Sequence, residues 1–296
     1  MSTIWGGYDR AGLDAQYNLR AAVPAFPDIA AAWRAESDRV IERLQAAGQA
    51  RLGVAYGPGN RQRFDIFLPA RPDDPVPALI FIHGGYWQAM TKEDFAYLAP
   101  GIIERGVAFI AIDYDLCPDV RMTELAGQVA AAIAAIARQA AGWGIDPARL
   151  VLSGHSAGGH LTALMLLRDW TADGFDRPPV AAGLAMSGLF ELEPIWLSYL
   201  NDVLHLDPAE VEALSPRARL RPVEPLLLLA VGAKETDEFL RQQADFAQAW
   251  KQVGNRLEII DLPDRHHFDA VDAISEPGHP LHERLLDLVK NGAGGG

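Results

Sequence analysis

Six short apolar runs, at residues 78–82, 107–112, 150–152, 180–186, 226–231 and 257–260, recur between helical segments, and this alternation constrains the fold more than any other feature of the chain. Each run is too short and too uniformly apolar for an amphipathic helix. Each is bounded by Gly, Pro or charged residues, as buried parallel strands are. Between them, segment 123–141 places Val129, Ile133, Ile136 and Ala140 on one face, and segment 236–253 does so with Phe239, Phe246 and Trp250. Strands alternating with helices predict an α/β fold: a mostly parallel central sheet with helices on both faces.

The flanks read differently. Residues 28–48 carry Ile29, Trp33, Val40, Ile41 and Leu44 near a 3.6 period and end at Gly48, which predicts a helix. Residues 51–56 and 63–68 predict an antiparallel edge hairpin around Gly57-Pro58-Gly59-Asn60. The first 20 residues show no period, so residues 1–27 are expected to form an arm draped over the body. Residues 190–221 contain three prolines and no strand-like run, and interrupt the alternation as a lid-like insertion or pocket wall. No repeat, low-complexity tract or linker divides the chain, so residues 1–296 are expected to form a single domain.

Gly154-His155-Ser156-Ala157-Gly158 follows one predicted strand and precedes an apolar helix at 161–167. A serine on so tight a strand-to-helix turn projects its hydroxyl above the sheet, and the helix N-terminus behind it favours negative charge. His83-Gly84-Gly85-Tyr86-Trp87 follows another strand. Acyl transfer passes through a tetrahedral oxyanion that needs fixed N–H donors. Ala157, next to the serine, and the Gly84–Gly85 loop are placed to supply them, while His83 is expected to pin the loop. In such a fold the acid follows a later strand and the histidine comes last. After 226–231 stand Glu235, Asp237 and Glu238; Glu235 lies nearest the strand end, with Asp237 as the alternative acid. After the last strand come His266 and His267, one as general base and its neighbour as a loop residue.

Composition narrows the partner. With 26 Lys and Arg against 39 Asp and Glu, the net charge of −13 excludes nucleic acid or an anionic membrane as a main partner. A small-molecule substrate is expected instead. One cysteine, Cys117, excludes a disulfide framework and a zinc cluster; with no visible signal peptide, a cytoplasmic protein is expected. His266, His267, Asp269, His279 and His282 crowd the C-terminal region without metal-ligand spacing, so no metal is expected. The hairpin edge and the proline-rich stretch are the places where a homodimer would form.

These residues resemble the kynurenine formamidase (arylformamidase) branch of the α/β-hydrolases. The resemblance rests on H-G-G-x-W at His83 to Trp87 with Gln88, on Asp113-Tyr114, on Gly154 through Leu161, and on Ser187-Gly188 followed by Leu192-Glu193-Pro194. It continues through Asn201, Ser215-Pro216, Gly232 to Phe239 and His267-Phe268-Asp269, covering most of the chain from about Phe64. It implies an α/β-hydrolase fold with a triad of Ser156 as nucleophile, Glu235 as acid and His267 as base. The animal enzymes carry Asp at the Glu235 position, which keeps Asp237 open. His160 is implied to line the site, and Tyr86 and Trp87 are placed to stack on an aromatic substrate. The implied reaction converts N-formyl-L-kynurenine to L-kynurenine and formate, in tryptophan catabolism, with no cofactor. The alternative is a carboxylesterase or other small-amide hydrolase of the hormone-sensitive-lipase-like type.

Overall fold

The structure, a computed structural model, describes residues 3–70 and 74–292; the first two residues of the expected arm and the last four of the chain lie outside these. Eight strands form one sheet: β1 (Ala50–Ala55), β2 (Arg63–Phe67), β3 (Val76–Ile82), β4 (Ala108–Ile112), β5 (Ile145–His155), β6 (Ala182–Met186), β7 (Leu226–Gly232) and β8 (Leu257–Leu262). Their order is β1-β2-β4-β3-β5-β6-β7-β8. The pairs β1/β2 and β2/β4 are antiparallel, and every other pair is parallel. Burial of β3, β4 and β6 along their whole length explains their unbroken apolar sequences, because both sheet faces are covered.

Among the described residues eleven α-helices surround the sheet. They are α1 (Arg10–Tyr17), α2 (Leu19–Ala22), α3 (Phe26–Ala46), α4 (Ala99–Ile103), α5 (Met122–Gln139), α6 (Ala157–Leu166), α7 (Glu193–Trp196), α8 (Asn201–Leu204), α9 (Pro208–Leu214), α10 (Asp237–Gln252) and α11 (Pro280–Asn291). All ten residues of α6 are buried where it packs on β3, β5 and β6, so its apolar residues need no period. Among the described residues no helix is long and apolar enough to cross a membrane.

The N-terminal segment, where the sequence shows no period, is helical. It holds two helices, started by Asp9, whose carboxylate accepts the Gly12 amide at 2.9 Å, and by Asn18, whose side-chain oxygen accepts the Ala21 amide at 3.2 Å. Both helices are too short to display a period; they bury Leu13, Tyr17 and Leu19.

The order of the strands places the site. After β3 the chain goes to one side of it, to β4, and then returns to β5 on the other. The strand ends beside this reversal leave a crevice. Register levels them: Ile82 faces Gly154, His155 faces Met186 and Gly232 faces Leu262. The segments after β3, β5, β6, β7 and β8 therefore leave the sheet along one edge.

Candidate active site

Ser156 follows β5 with φ 57° and ψ −119°, a conformation that residues with a Cβ rarely adopt. Its surroundings hold it there. The Ser156 amide donates to the Met186 carbonyl at 2.9 Å, and its own carbonyl accepts the His160 amide at 3.1 Å. Gly158 makes the turn possible, since a Cβ at that position would sit 1.9 Å from the Ile82 carbonyl oxygen.

His267 and Glu235 meet over the same edge. His267 Nδ1 lies 2.6 Å from Glu235 Oε2, and both side chains are buried. A carboxylate partner fixes the proton on Nδ1 and leaves Nε2 as the basic nitrogen. The other carboxylate oxygen, Oε1, accepts the Ser187 hydroxyl at 2.5 Å and the Gly232 amide at 2.9 Å. Glu235 is thus held at both oxygens. The Ser156 hydroxyl bonds to no other described residue, so the chain of contacts is closed between Glu235 and His267 and open toward Ser156. Such contacts commonly tighten once substrate is bound.

Asp237 does not join this arrangement. It is exposed in the first turn of α10, with no bond to His267. Glu238, beside it, is buried and accepts from the Tyr17 hydroxyl at 2.9 Å and from the Trp5 indole at 3.2 Å, which ties the N-terminal segment to α10. His266 is half-buried, and its Nδ1 accepts the Phe268 and Asp269 amides. It shapes the loop that presents His267.

The backbone N–H groups of Gly84, Gly85 and Ala157 donate to no acceptor among the described residues, which leaves them available to an oxyanion. Gly84 lies against Ser156: a Cβ there would come within 3.1 Å of Ser156 Cβ and 2.9 Å of the His155 carbonyl oxygen. His83 fixes this loop from below, with Nε2 3.1 Å from Asp113 Oδ1 and its ring stacked on Tyr114 at 4.2 Å.

A cavity of about 530 Å³ opens above these groups, with Ser156, His267, Gly84 and Gly85 in its wall. Tyr86 also lines it, its hydroxyl donating to the Tyr17 carbonyl at 2.9 Å. Trp87 and His160 do not. Both are wholly buried, the Trp87 indole donating to His160 Nδ1 at 3.2 Å while His160 Nε2 donates to the Leu214 carbonyl at 2.7 Å. The motifs that contain them, the 83–87 loop for Trp87 and the start of α6 for His160, do not fix which way each ring turns, and here the two rings pack on each other. Burial pushes His160 down to about 4, so it is neutral at ordinary pH.

Three contributions escaped sequence reasoning. His155 Nε2 donates to the His267 carbonyl at 2.8 Å, linking the serine turn directly to the histidine loop. Burial first, and the neighbouring His267 second, hold His155 well below the usual histidine range. Phe26 and Trp33 of α3 wall the cavity, beside Tyr199 and Val203 from the 190–221 stretch expected as a lid or pocket wall. Cys117 lines the cavity too; burial raises its thiol to about 11, so it stays protonated. No signal in the sequence near Phe26, Trp33 or Cys117 marks them as facing a cavity.

Among the described residues no group of three or more His, Cys, Asp and Glu could hold a metal ion.

Comparison with known proteins agrees with this geometry. A family model described as BD-FAE matches residues 64–177. The kynurenine formamidase of Salmo salar is 28% identical over 254 residues, covering 84% of this chain and 85% of that protein. That of Danio rerio is 26% identical over 293 residues, covering 96% and 98%. Among solved structures, a "putative thioesterase" from Silicibacter sp. superposes with a TM-score of 0.80 at 31% identity, covering 94% of this chain and 98% of that one.

Proposed function

The chain belongs to the α/β-hydrolases and is a hydrolase of the kynurenine formamidase and esterase type; from that premise we propose that it cleaves N-formyl-L-kynurenine to L-kynurenine and formate through Ser156, His267 and Glu235. The observation that carries the reading is the 2.6 Å contact between His267 Nδ1 and Glu235 Oε2 beside a serine held on a strained turn in the same cavity wall.

The steps follow from the parts. His267 Nε2 takes the Ser156 proton as the oxygen attacks the formyl carbon, and the carbonyl electrons move onto oxygen. The amides of Gly84, Gly85 and Ala157 meet that charge, while Glu235 stays ionised beside the imidazolium. His267 then gives its proton to the departing arylamine nitrogen and the C–N bond breaks, leaving a formyl ester on Ser156. Water attacks this ester with His267 as base, and formate leaves as the serine recovers its proton. An anilide nitrogen departs more readily than an alkyl amine, so one histidine suffices as acid. The reaction needs no cofactor, and the single cysteine favours the cytoplasm as its setting.

A second reading, hydrolysis of an ester or thioester by the same residues, is favoured by the name of the Silicibacter protein. Side-by-side kcat/KM on N-formyl-L-kynurenine and p-nitrophenyl acetate separates the two. The formamidase reading expects the formamide to be turned over at least as efficiently. Esters winning by orders of magnitude would overturn it.

A further inference from the structure

The cavity above Ser156 is electrostatically one-sided. Among the described residues no Asp or Glu lines it, and the one Lys or Arg that does is Arg20, in α2. In a chain of net charge −13, a chamber with one cation and no carboxylate selects for a negative group on its ligand. Arg20 is exposed at the mouth and pairs with no carboxylate among the described residues. Its guanidinium lies over the Phe26 ring, 5.3 Å from the centroid, and Phe26 in turn packs on Phe268 at 4.2 Å, next to the catalytic histidine. The aromatic support orients the cation without neutralising it.

Asn18 stands on the same wall. Its Oδ1 is used in capping α2, whereas its side-chain NH2 has no partner among the described residues, leaving a second donor free. The segment carrying both residues is firmly seated. The Tyr17 carbonyl accepts from Tyr86 and Tyr199 hydroxyls at 2.9 and 3.2 Å, and the Gln16 carbonyl accepts from the Thr236 hydroxyl at 2.8 Å.

We propose that Arg20, with the Asn18 side-chain amide, binds the carboxylate of the substrate while the carbonyl to be cleaved lies at Ser156, so that the enzyme favours carboxylate-bearing aryl substrates over neutral ones. This deepens the hydrolase reading and rests on its Ser156 chemistry, but not on the choice of formamide over ester.

The test compares kcat/KM on 4-acetoxybenzoate with that on phenyl acetate, alongside N-formyl-L-kynurenine. The ratio of charged to neutral ester cancels any change in active fraction. Arg20→Gln is expected to lower this ratio about tenfold, mostly through KM, and Arg20→Lys to restore part of it. Added salt should lower the ratio in the wild type and leave it unchanged in Arg20→Gln. A ratio that Arg20→Gln does not move would overturn the proposal. If the wild type cleaves the esters but not N-formyl-L-kynurenine, the formamidase reading fails while the ester ratio still decides the role of Arg20. If it cleaves N-formyl-L-kynurenine and the ratio ignores Arg20→Gln, the formamidase reading stands and the carboxylate site falls.

Discussion

Glu235 divides its two oxygens between two tasks. Oε2 holds the His267 proton at 2.6 Å, and Oε1 is itself held by Ser187 and Gly232. Replacing the carboxylate by an amide of the same shape leaves the site packed but offers the histidine the wrong partner. Glu235→Gln is therefore expected to lower kcat by about 10³- to 10⁴-fold, whereas Asp237→Asn, at an exposed helix start, should stay within about twofold. Steady-state kinetics on both variants checks the ranking, and the reverse order would move the acid to Asp237. Ser187 acts on the chemistry only through Glu235. Ser187→Ala should lower kcat by about tenfold with little change in KM, and Ser187→Thr should recover part of the loss; a loss confined to KM would give Ser187 a different role. Ser156, Glu235 and His267 could be expected at one sheet edge from the sequence because each follows a strand in a fixed chain order. Ser187 was visible only as part of a motif, since nothing in the linear chain shows that it ends beside the acid.

At the scale of elements, the six apolar runs all lie in strands; the first five are buried because both sheet faces are covered, which leaves no room for polar alternation, whereas β8 at the sheet edge keeps Ile259 exposed. What escaped was local and short. In α1 and α2, capping by Asp9 and Asn18 decides the structure, and two buried side chains in the one and one in the other give no period to read. Trp87 and His160 escaped for another reason: the motifs fix the backbone of the 83–87 loop and of the start of α6 but not which way each ring turns. The serine turn is the most demanding joint. Gly158→Ala would drive a Cβ into the Ile82 carbonyl of the neighbouring strand, 1.9 Å away, where neither backbone can yield cheaply. Urea unfolding is expected to show a loss of about 3 kcal/mol or more. A loss below about 1 kcal/mol would mean that β3 and α6 can separate without disturbing the sheet.

In the whole molecule, the cavity is assembled from distant parts of the chain: the N-terminal helices close over the segments that follow β3, β4, β5, β6 and β8, and are tied to α10 through Tyr17 and Glu238. The same burial makes the fold sensitive to acid. His155 and His160 both bind protons less readily folded than unfolded, where a histidine titrates near 6.5. Below that pH the unfolded chain takes up protons that the folded chain refuses, so stability falls with pH. For His160 the fall continues to about 4, on the order of 3 kcal/mol in all. Thermal melts across this window should show a falling Tm, and His160→Gln should flatten the slope while lowering Tm at neutral pH through loss of the Trp87 brace. An unchanged slope in that variant would contradict the assignment. A serine nucleophile at residue 156, served by His267 and Glu235, is read out by intact-protein mass spectrometry after treatment with a fluorophosphonate. A single adduct is expected on the wild type and none on Ser156→Ala. An adduct that persists on Ser156→Ala, or a wild type that takes none, would contradict it.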